Sequence, residues 1–225
     1  MTNAPKVDWA AYGGQAGTPN MNQRPTDSDA ALVERVRAGQ TDCFEELVRR
    51  YQGPLTRVAR SRLGRVDWAE DVVQETFMAA YKSCGSYDPR YNFRTWLWTI
   101  LLNQCRGHYQ RRLRRARIEP APAGADGVSL DEAVETGDTS PLGKLLAKER
   151  AATLESVLRQ LSTVQADALR LRFFGGLKFH EIAATMQCSL NTAKSRVRCG
   201  LERMALLLED AGAQDQSSGA ARQEH

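Results

Sequence analysis

Over residues 177–204 the apolar side chains fall into two short helical runs separated by three residues, a spacing that few folds accommodate. In the first run Phe179, Ile182, Ala183 and Met186 recur at i, i+3, i+4 and i+7, one stripe of an amphipathic helix. Cys188-Ser189-Leu190 interrupts the rhythm, and Ser189 offers a side-chain oxygen to cap the next helix. From Asn191 onward, Ala193, Val197, Leu201 and Met204 again share one face. The opposite face carries Asn191, Lys194, Ser195 and Arg198, flanked by Thr192 and Arg196. A short helix supporting a second, polar and basic helix across a tight turn is the helix-turn-helix arrangement, whose second helix enters the major groove. Asn, Thr, Ser and Arg together suit base edges and phosphates, so double-stranded DNA is the first candidate partner.

The rest of the chain reads as helical, with no convincing strand alternation. The expected fold is all-α, two small helical domains joined by a flexible acidic linker. Residues 1–26, rich in Gly, Ala, Asn, Gln and Pro without periodicity, are expected to be disordered. The first domain, residues 27–117, divides into helices over 30–38, 42–63, 68–83 and 93–117. Asp42 with Glu45 and Asp67 with Glu70 have the capping-box spacing, and Gly53-Pro54 should kink the second helix without ending it. A linker over 118–141 opens on Glu119-Pro120-Ala121-Pro122. The second domain, residues 142–208, divides into helices over 142–160, 163–174, 178–186 and 191–208, restarted by Ser140-Pro141 and broken at Gly175-Gly176. Residues 209–225 form a polar tail expected to be disordered.

Charge is segregated along this plan, although the net value is only +4. Residues 42–117 hold 15 Lys/Arg against 8 Asp/Glu, and residues 144–208 hold 11 against 5. Residues 118–143 hold six acids and no base. Two basic blocks on an acidic connector suit two polyanion-binding modules on one chain.

Other classes find no support. No run of about 18 apolar residues exists, so no membrane insertion is expected. The N-terminus lacks the basic and apolar segments of a signal peptide. Five scattered cysteines, Cys43, Cys84, Cys105, Cys188 and Cys199, suit reduced thiols in a cytoplasmic protein. Cys105 and His108 lie three apart on one helix, but no second Cys/His pair lies within normal ligand spacing, so no metal site and no cofactor is expected. Phosphate-binding glycine loops, zincin motifs and serine elbows are missing, and no catalytic residue is expected.

Two faces of the first domain stand out. In the helix over 68–83, Ala69, Val72, Val73, Thr76, Phe77, Ala80 and Tyr81 should face inward, leaving Asp71, Gln74, Glu75, Met78 and Lys82 as an outer stripe. A Met amid carboxylates and an amide leans toward a protein-docking face over plain solvated surface. The long helix begins with a core-forming aromatic half (Phe93, Trp96, Trp98, Ile100, Leu101) and turns basic from Asn103 on. Arginines interleaved with Tyr109 suit single-stranded DNA, where bases stack and phosphates pair with guanidinium groups; the alternative is a solvated basic helix end.

The combination of Asp71-Val72-Val73-Gln74-Glu75-Thr76-Phe77 with Phe93-Arg94-Thr95-Trp96-Leu97 resembles the second region of bacterial sigma factors. Residues 161–208 resemble their fourth region, and with no third domain between, the chain is similar to the extracytoplasmic-function (ECF) group. The resemblance implies that Asp71, Gln74, Glu75 and Met78 dock on the clamp helices of the largest RNA polymerase subunit, and that the chain also meets the flap of the second-largest. It implies that Tyr87, Asn103, Arg106, Tyr109, Arg111 and Arg112 hold single-stranded minus-ten DNA, with a base flipped out at a cost of a few kcal/mol. Ser189, Asn191, Thr192, Lys194, Ser195, Arg196 and Arg198 would read the minus-thirty-five element as duplex. The acidic connector would thread through the polymerase, and an anti-sigma factor is the expected regulator. Gly107 and His108 stand where many members carry an acidic residue. The alternative is a helix-turn-helix transcriptional regulator that never binds core polymerase.

Overall fold

The computed structural model describes residues 27–118 and 141–220, and every regular element among them is helical. The N-terminal extension, most of the acidic linker and the last five residues therefore lie outside the described residues. No helix among the described residues is long and apolar enough to cross a membrane.

Helix α1 (Asp29–Arg37) starts where the Ser28 hydroxyl accepts the Ala31 N–H at 3.2 Å, and buries Leu32, Val33 and Val36. Helix α2 (Cys43–Leu63) runs through Pro54 and stops at Gly64, whose left-handed φ of 75° favours a residue without Cβ. The capping box expected at Asp42 does not form: Asp42 is already helical in φ/ψ and its carboxylate makes no cap bond. Helix α3 (Val66–Ser83) begins two residues before the expected start. Asp67 sits inside its first turn, where Arg65 grips the carboxylate at 2.8 and 3.0 Å, so it cannot serve as the N-cap. A single 3-10 turn (Cys84–Ser86) leads toward α4 (Phe93–Ile118). The core of this domain gathers Leu47, Leu55, Val58, Val72, Leu97, Trp98 and Leu101. Tyr81, expected inside, is exposed; it lies at the rim, its ring edge-on to Phe44 at 5.2 Å.

The second domain comprises α5 (Pro141–Gln160), α6 (Thr163–Phe173), α7 (Phe179–Thr185) and α8 (Leu190–Ala220). Pro141 in the first turn of α5 suits a residue without an N–H to leave unsatisfied. Helix α8 continues to Ala220, well past the expected end at Leu208. Residues 209–220 contain no proline and several good helix formers, so nothing interrupts the ladder. Leu201, assigned to the buried face of α8, is 42% exposed; the buried position is Gly200, where a Cβ would lie 3.0 Å from Leu169 Cδ1. The missing side chain lets α8 lie close on α6.

The two domains also pack against each other, which the tether alone does not require. Helix α4 meets α7, and α2 meets α6. Arg62 on α2 forms a buried ion pair with Asp167 on α6, and Arg170 Nε donates to Ser61 Oγ at 3.0 Å. At the other end of the boundary, Arg94 Nη2 donates to the carbonyls of Gly175 and Gly176 at 2.8 and 3.0 Å. A Cβ on Gly175 would stand 3.0 Å from Trp98 Cη2, so the glycine permits the approach.

Candidate nucleic-acid interface

The helix-turn-helix is held by bonds at each of its corners. The Glu181 carboxylate accepts the Lys178 backbone N–H at 2.7 Å, closing the start of α7. Gln187 takes a φ of 51° in the turn, and Ser189 Oγ accepts the Thr192 N–H at 3.0 Å, capping α8 as its sequence position suggested. Ala193 and Val197 are buried beneath the helix. Asn191, Lys194, Ser195 and Arg198 are exposed together, while Thr192 and Arg196 are half-buried on the flank and Ser189 is exposed at the turn. Arg198 has only a 3.7 Å pair with Glu202 on the surface, weak enough to exchange for a phosphate. The face thus presents amide, hydroxyl and guanidinium groups on a rigid helix.

In the first domain, Asp71, Gln74, Glu75 and Met78 are all exposed on one stripe of α3, Met78 at 50%. They form one wall of a groove of about 390 Å³ whose other wall is His108, Arg111 and Arg112 of α4. Glu75 and Arg111 close it with a 3.2 Å ion pair. Acidic stripe and basic helix end are therefore one continuous surface, which the spacing within either helix does not reveal.

The six residues assigned to single-stranded DNA separate into three groups. Asn103, Arg106 and Tyr109 project outward together; Tyr109 is 61% exposed and Arg106 Nη1 donates to Asn103 Oδ1 at 3.1 Å. Arg111 and Arg112 turn toward α3. Arg112 lies over the Trp68 ring, 3.6 Å from its centroid, Arg65 lies 4.8 Å from the same ring, and the His108 ring tilts against it at 5.4 Å. Burial, reinforced by Arg111, pushes the His108 pKa down, which favours a neutral imidazole there. Tyr87 is in the core, 4% exposed, packed on Phe93 and Trp96, with its hydroxyl donating to the Tyr91 carbonyl at 2.5 Å. Burial pushes its hydroxyl up to about 12. In this state Tyr87 braces the loop between α3 and α4 and presents no face to a ligand. Sequence reasoning missed Trp68, whose signal was only an aromatic residue among charges at a helix start.

Cys105 is fully buried, and its thiol is pushed up to about 11 by burial. Among the described residues no group of three or more His, Cys, Asp or Glu side chains is arranged to hold a metal ion.

Comparison with known proteins places both halves. Residues 47–115 match the family model of sigma-70 region 2, and residues 151–204 match that of sigma-70 region 4. The chain is 33% identical over 177 residues to the RNA polymerase sigma-H factor of Pseudomonas aeruginosa, covering 76% of this chain and 89% of that protein. It is 32% identical over 171 residues to the ECF RNA polymerase sigma-E factor of Haemophilus influenzae, with the same coverage of 76% and 89%. Among solved structures it is similar to CnrH in complex with the cytosolic domain of CnrY, with a TM-score of 0.62 and 25% identity over 82% of this chain and 99% of that one. It is also similar to the sigma factor RpoE bound to the anti-sigma factor NepR from Bartonella quintana, with a TM-score of 0.59 and 25% identity over 74% and 96% of the two chains.

Proposed function

Because this chain belongs to the ECF group of bacterial RNA polymerase sigma factors, we propose how its surfaces divide the work of starting transcription at a chosen promoter. The reading rests chiefly on one observation: both sigma regions lie on one chain with their candidate faces exposed. The stripe Asp71, Gln74, Glu75 and Met78 docks on the clamp helices of core polymerase, and the second domain engages the flap. Asn103, Arg106 and Tyr109 hold the displaced strand of the minus-ten element, with Arg111 at the margin. Asn191, Lys194, Ser195 and Arg198 read the minus-thirty-five duplex, supported by Ser189, Thr192 and Arg196. Residues 27–117 and 142–208 are the two functional units, and the acidic segment between them runs through the polymerase.

The protein supplies promoter choice and leaves bond formation to the polymerase; it is not itself an enzyme. It acts in the cytoplasm, where polymerase and promoters are. An anti-sigma factor is its expected regulator, as NepR is seen bound to the Bartonella relative.

Adding the chain to core polymerase on a matching promoter should yield a defined transcript, and Asp71→Ala with Gln74→Ala should abolish it while leaving duplex binding by the second domain intact. If core polymerase with the chain gives no promoter-specific transcript while the chain alone binds the promoter, the chain acts as a helix-turn-helix regulator; if the double variant transcribes normally, the stripe is not the docking face.

A further inference from the structure

We propose that residues 6–12, which precede the described chain, dock the Trp9 ring into an apolar pocket between α2 and the end of α3, and so cover one edge of the polymerase-docking stripe. The covering of the stripe rests on the docking role proposed above for Asp71, Gln74, Glu75 and Met78; the filling of the pocket does not.

The pocket has a volume of about 300 Å³ and lies among Thr41, Phe44, Val48 and Tyr81, with Glu45 and Arg49 at its rim. Phe44 and Val48 pack on the core yet are only half-buried, and Tyr81 is 44% exposed with its ring edge-on to Phe44 at 5.2 Å. A concave apolar surface edged by a few polar groups is the usual form of a site that receives a ligand. Two rings already set edge to face leave a third ring the same favourable geometry. Tyr81 follows Gln74 by seven residues and Met78 by three on α3, so the pocket adjoins the docking stripe.

The occupant is argued from what the chain holds just before Asp27 and from where Asp27 is tied. Residues 1–26 are mostly small and polar; apart from Met1 and Met21, Val7, Trp9 and Tyr12 are their only large apolar side chains, gathered within six positions. Such a composition opposes independent folding, but a single anchored ring requires none. Lys6 and Asp8 flank Val7, and the pocket rim offers one charge of each sign to meet them. Arg49 is 74% exposed and pairs only at the surface with Glu46, a contact weak enough to exchange.

The start of the described chain is fixed on the same helix that walls the pocket. Arg50 Nη1 of α2 donates to the Asp27 carbonyl at 2.9 Å, and Arg35 Nη1 pairs with the Asp27 carboxylate at 2.5 Å. Phe44 and Arg50 stand about 9 Å apart along the axis of α2 and on different sides of it, so the path around the helix is on the order of 20 Å. The 14 residues between Tyr12 and Asp27 can span at most about 50 Å, more than enough. A tether of that length holds its end at an effective concentration on the order of 1 mM. Against it, an interaction of only about 0.25 mM fills the pocket most of the time and leaves about one fifth of the chains open.

The test uses the full-length protein labelled with fluorotryptophan, in which the Trp9 signal is identified by its loss in Trp9→Ser. The reference is the labelled synthetic peptide of residues 1–20. Docking predicts a Trp9 fluorine signal displaced from that of the peptide at every protein concentration. The signal should return to the peptide position in Thr41→Arg, an exposed rim substitution that spares the core. Deleting residues 1–20, or Trp9→Ser, should tighten binding to core polymerase about fivefold, because the open fraction rises from about one fifth to one. A Trp9 signal equal to that of the peptide would overturn the proposal. So would a displacement that Thr41→Arg leaves unmoved, which places the ring elsewhere, or one that grows with concentration, which makes a second copy the occupant. A displaced signal with core affinity unchanged or weakened by the deletion would overturn the covering of the stripe. If Asp71→Ala with Gln74→Ala leaves core binding unchanged, the docking reading fails and the covering with it, and the fluorine signal alone then decides whether Trp9 fills the pocket.

Discussion

Replacing Trp68 by leucine should loosen the junction of α3 and α4 by about 2 kcal/mol. Leucine keeps apolar bulk but removes the ring face. Arg112, itself exposed and 3.6 Å from the centroid of the half-buried ring, loses a cation–π contact worth up to about 1 kcal/mol. The smaller side chain gives up roughly another 1 kcal/mol of buried apolar area. Arg65 adds little, since Asp67 already holds it. For a unit of roughly 150–250 residues, 2 kcal/mol lowers the melting midpoint by about 4–8 °C. Thermal unfolding of Trp68→Leu, Arg112→Met and the double variant isolates the pair, and a coupling near 1 kcal/mol is expected. Coupling within about 0.3 kcal/mol of zero would show that Arg112 is not held by the ring. The same cycle reaches function through salt dependence. If Arg112 stays on Trp68, Arg112→Met leaves the salt slope of single-strand binding unchanged, whereas Arg106→Ala lowers it by about 0.7. Equal losses would place both arginines on the phosphates and refute the division of α4 into two faces.

Gly200→Ala gains about 1 kcal/mol of helix propensity, but its Cβ would press on buried Leu169 at 3.0 and 3.2 Å; a net loss of about 1 kcal/mol in thermal stability is expected, and a gain would mean Leu169 can yield. Ser189→Ala removes the N-cap of α8 and should cost about 1 kcal/mol, seen as a lower melting midpoint and weaker minus-thirty-five duplex binding, while Ser189→Asp should preserve the midpoint. For His108 the folded pKa is depressed, so the unfolded chain takes up the proton first as pH falls below about 6.5. Stability from this group is complete above that pH and is lost on acidification toward the folded pKa. The midpoint of wild type should therefore fall more steeply than that of His108→Gln between pH 7.5 and 5.5, and parallel curves would contradict the burial of the imidazole.

What could be read in advance was whatever depends on one helix at a time. The stripe on α7 and the outward set of α3 follow from a 3.6-residue period and the Ser189 cap from a residue type at a helix start, and all are present. The period could also have separated Asn103 from Arg112, which stand nine residues and about half a turn apart; grouping them by composition merged two faces. Tyr87 and Leu201 failed differently. An aromatic in a polar loop and a leucine on an amphipathic helix have no intrinsic side, and neighbours from other elements decided: Phe93 and Trp96 drew Tyr87 in, and Gly200 against Leu169 rotated Leu201 out. Domain closure was illegible for the same reason. Asp167 and Arg170 have the spacing of an ordinary surface pair, and only Ser61 and Arg62, more than a hundred residues earlier, make them a buried cluster.

Charge segregation gives that cluster a consequence beyond geometry. Both domains are basic, with 15 cations against 8 anions in residues 42–117 and 11 against 5 in residues 144–208, so long-range repulsion opposes their approach. The carboxylates of the second domain are placed where they answer it, Asp167 and Glu155 at the corner facing Arg62 and Glu181 3.7 Å from Arg94. Repulsion between exposed charges is screened within about 8–10 Å at physiological salt, while the buried Arg62–Asp167 contact is screened far less. Raising salt therefore removes the force that opens the chain and keeps most of the force that closes it. The same change weakens phosphate contacts, because counterions released into a saltier solution gain less entropy. Salt thus acts on DNA binding and on domain packing in opposite senses, and Asp167→Asn should loosen the packing most at low salt. Solution scattering of wild type and Asp167→Asn at low and high salt checks this; dimensions of the variant that equal those of the wild type at low salt would mean that the ion pair does not hold the domains together.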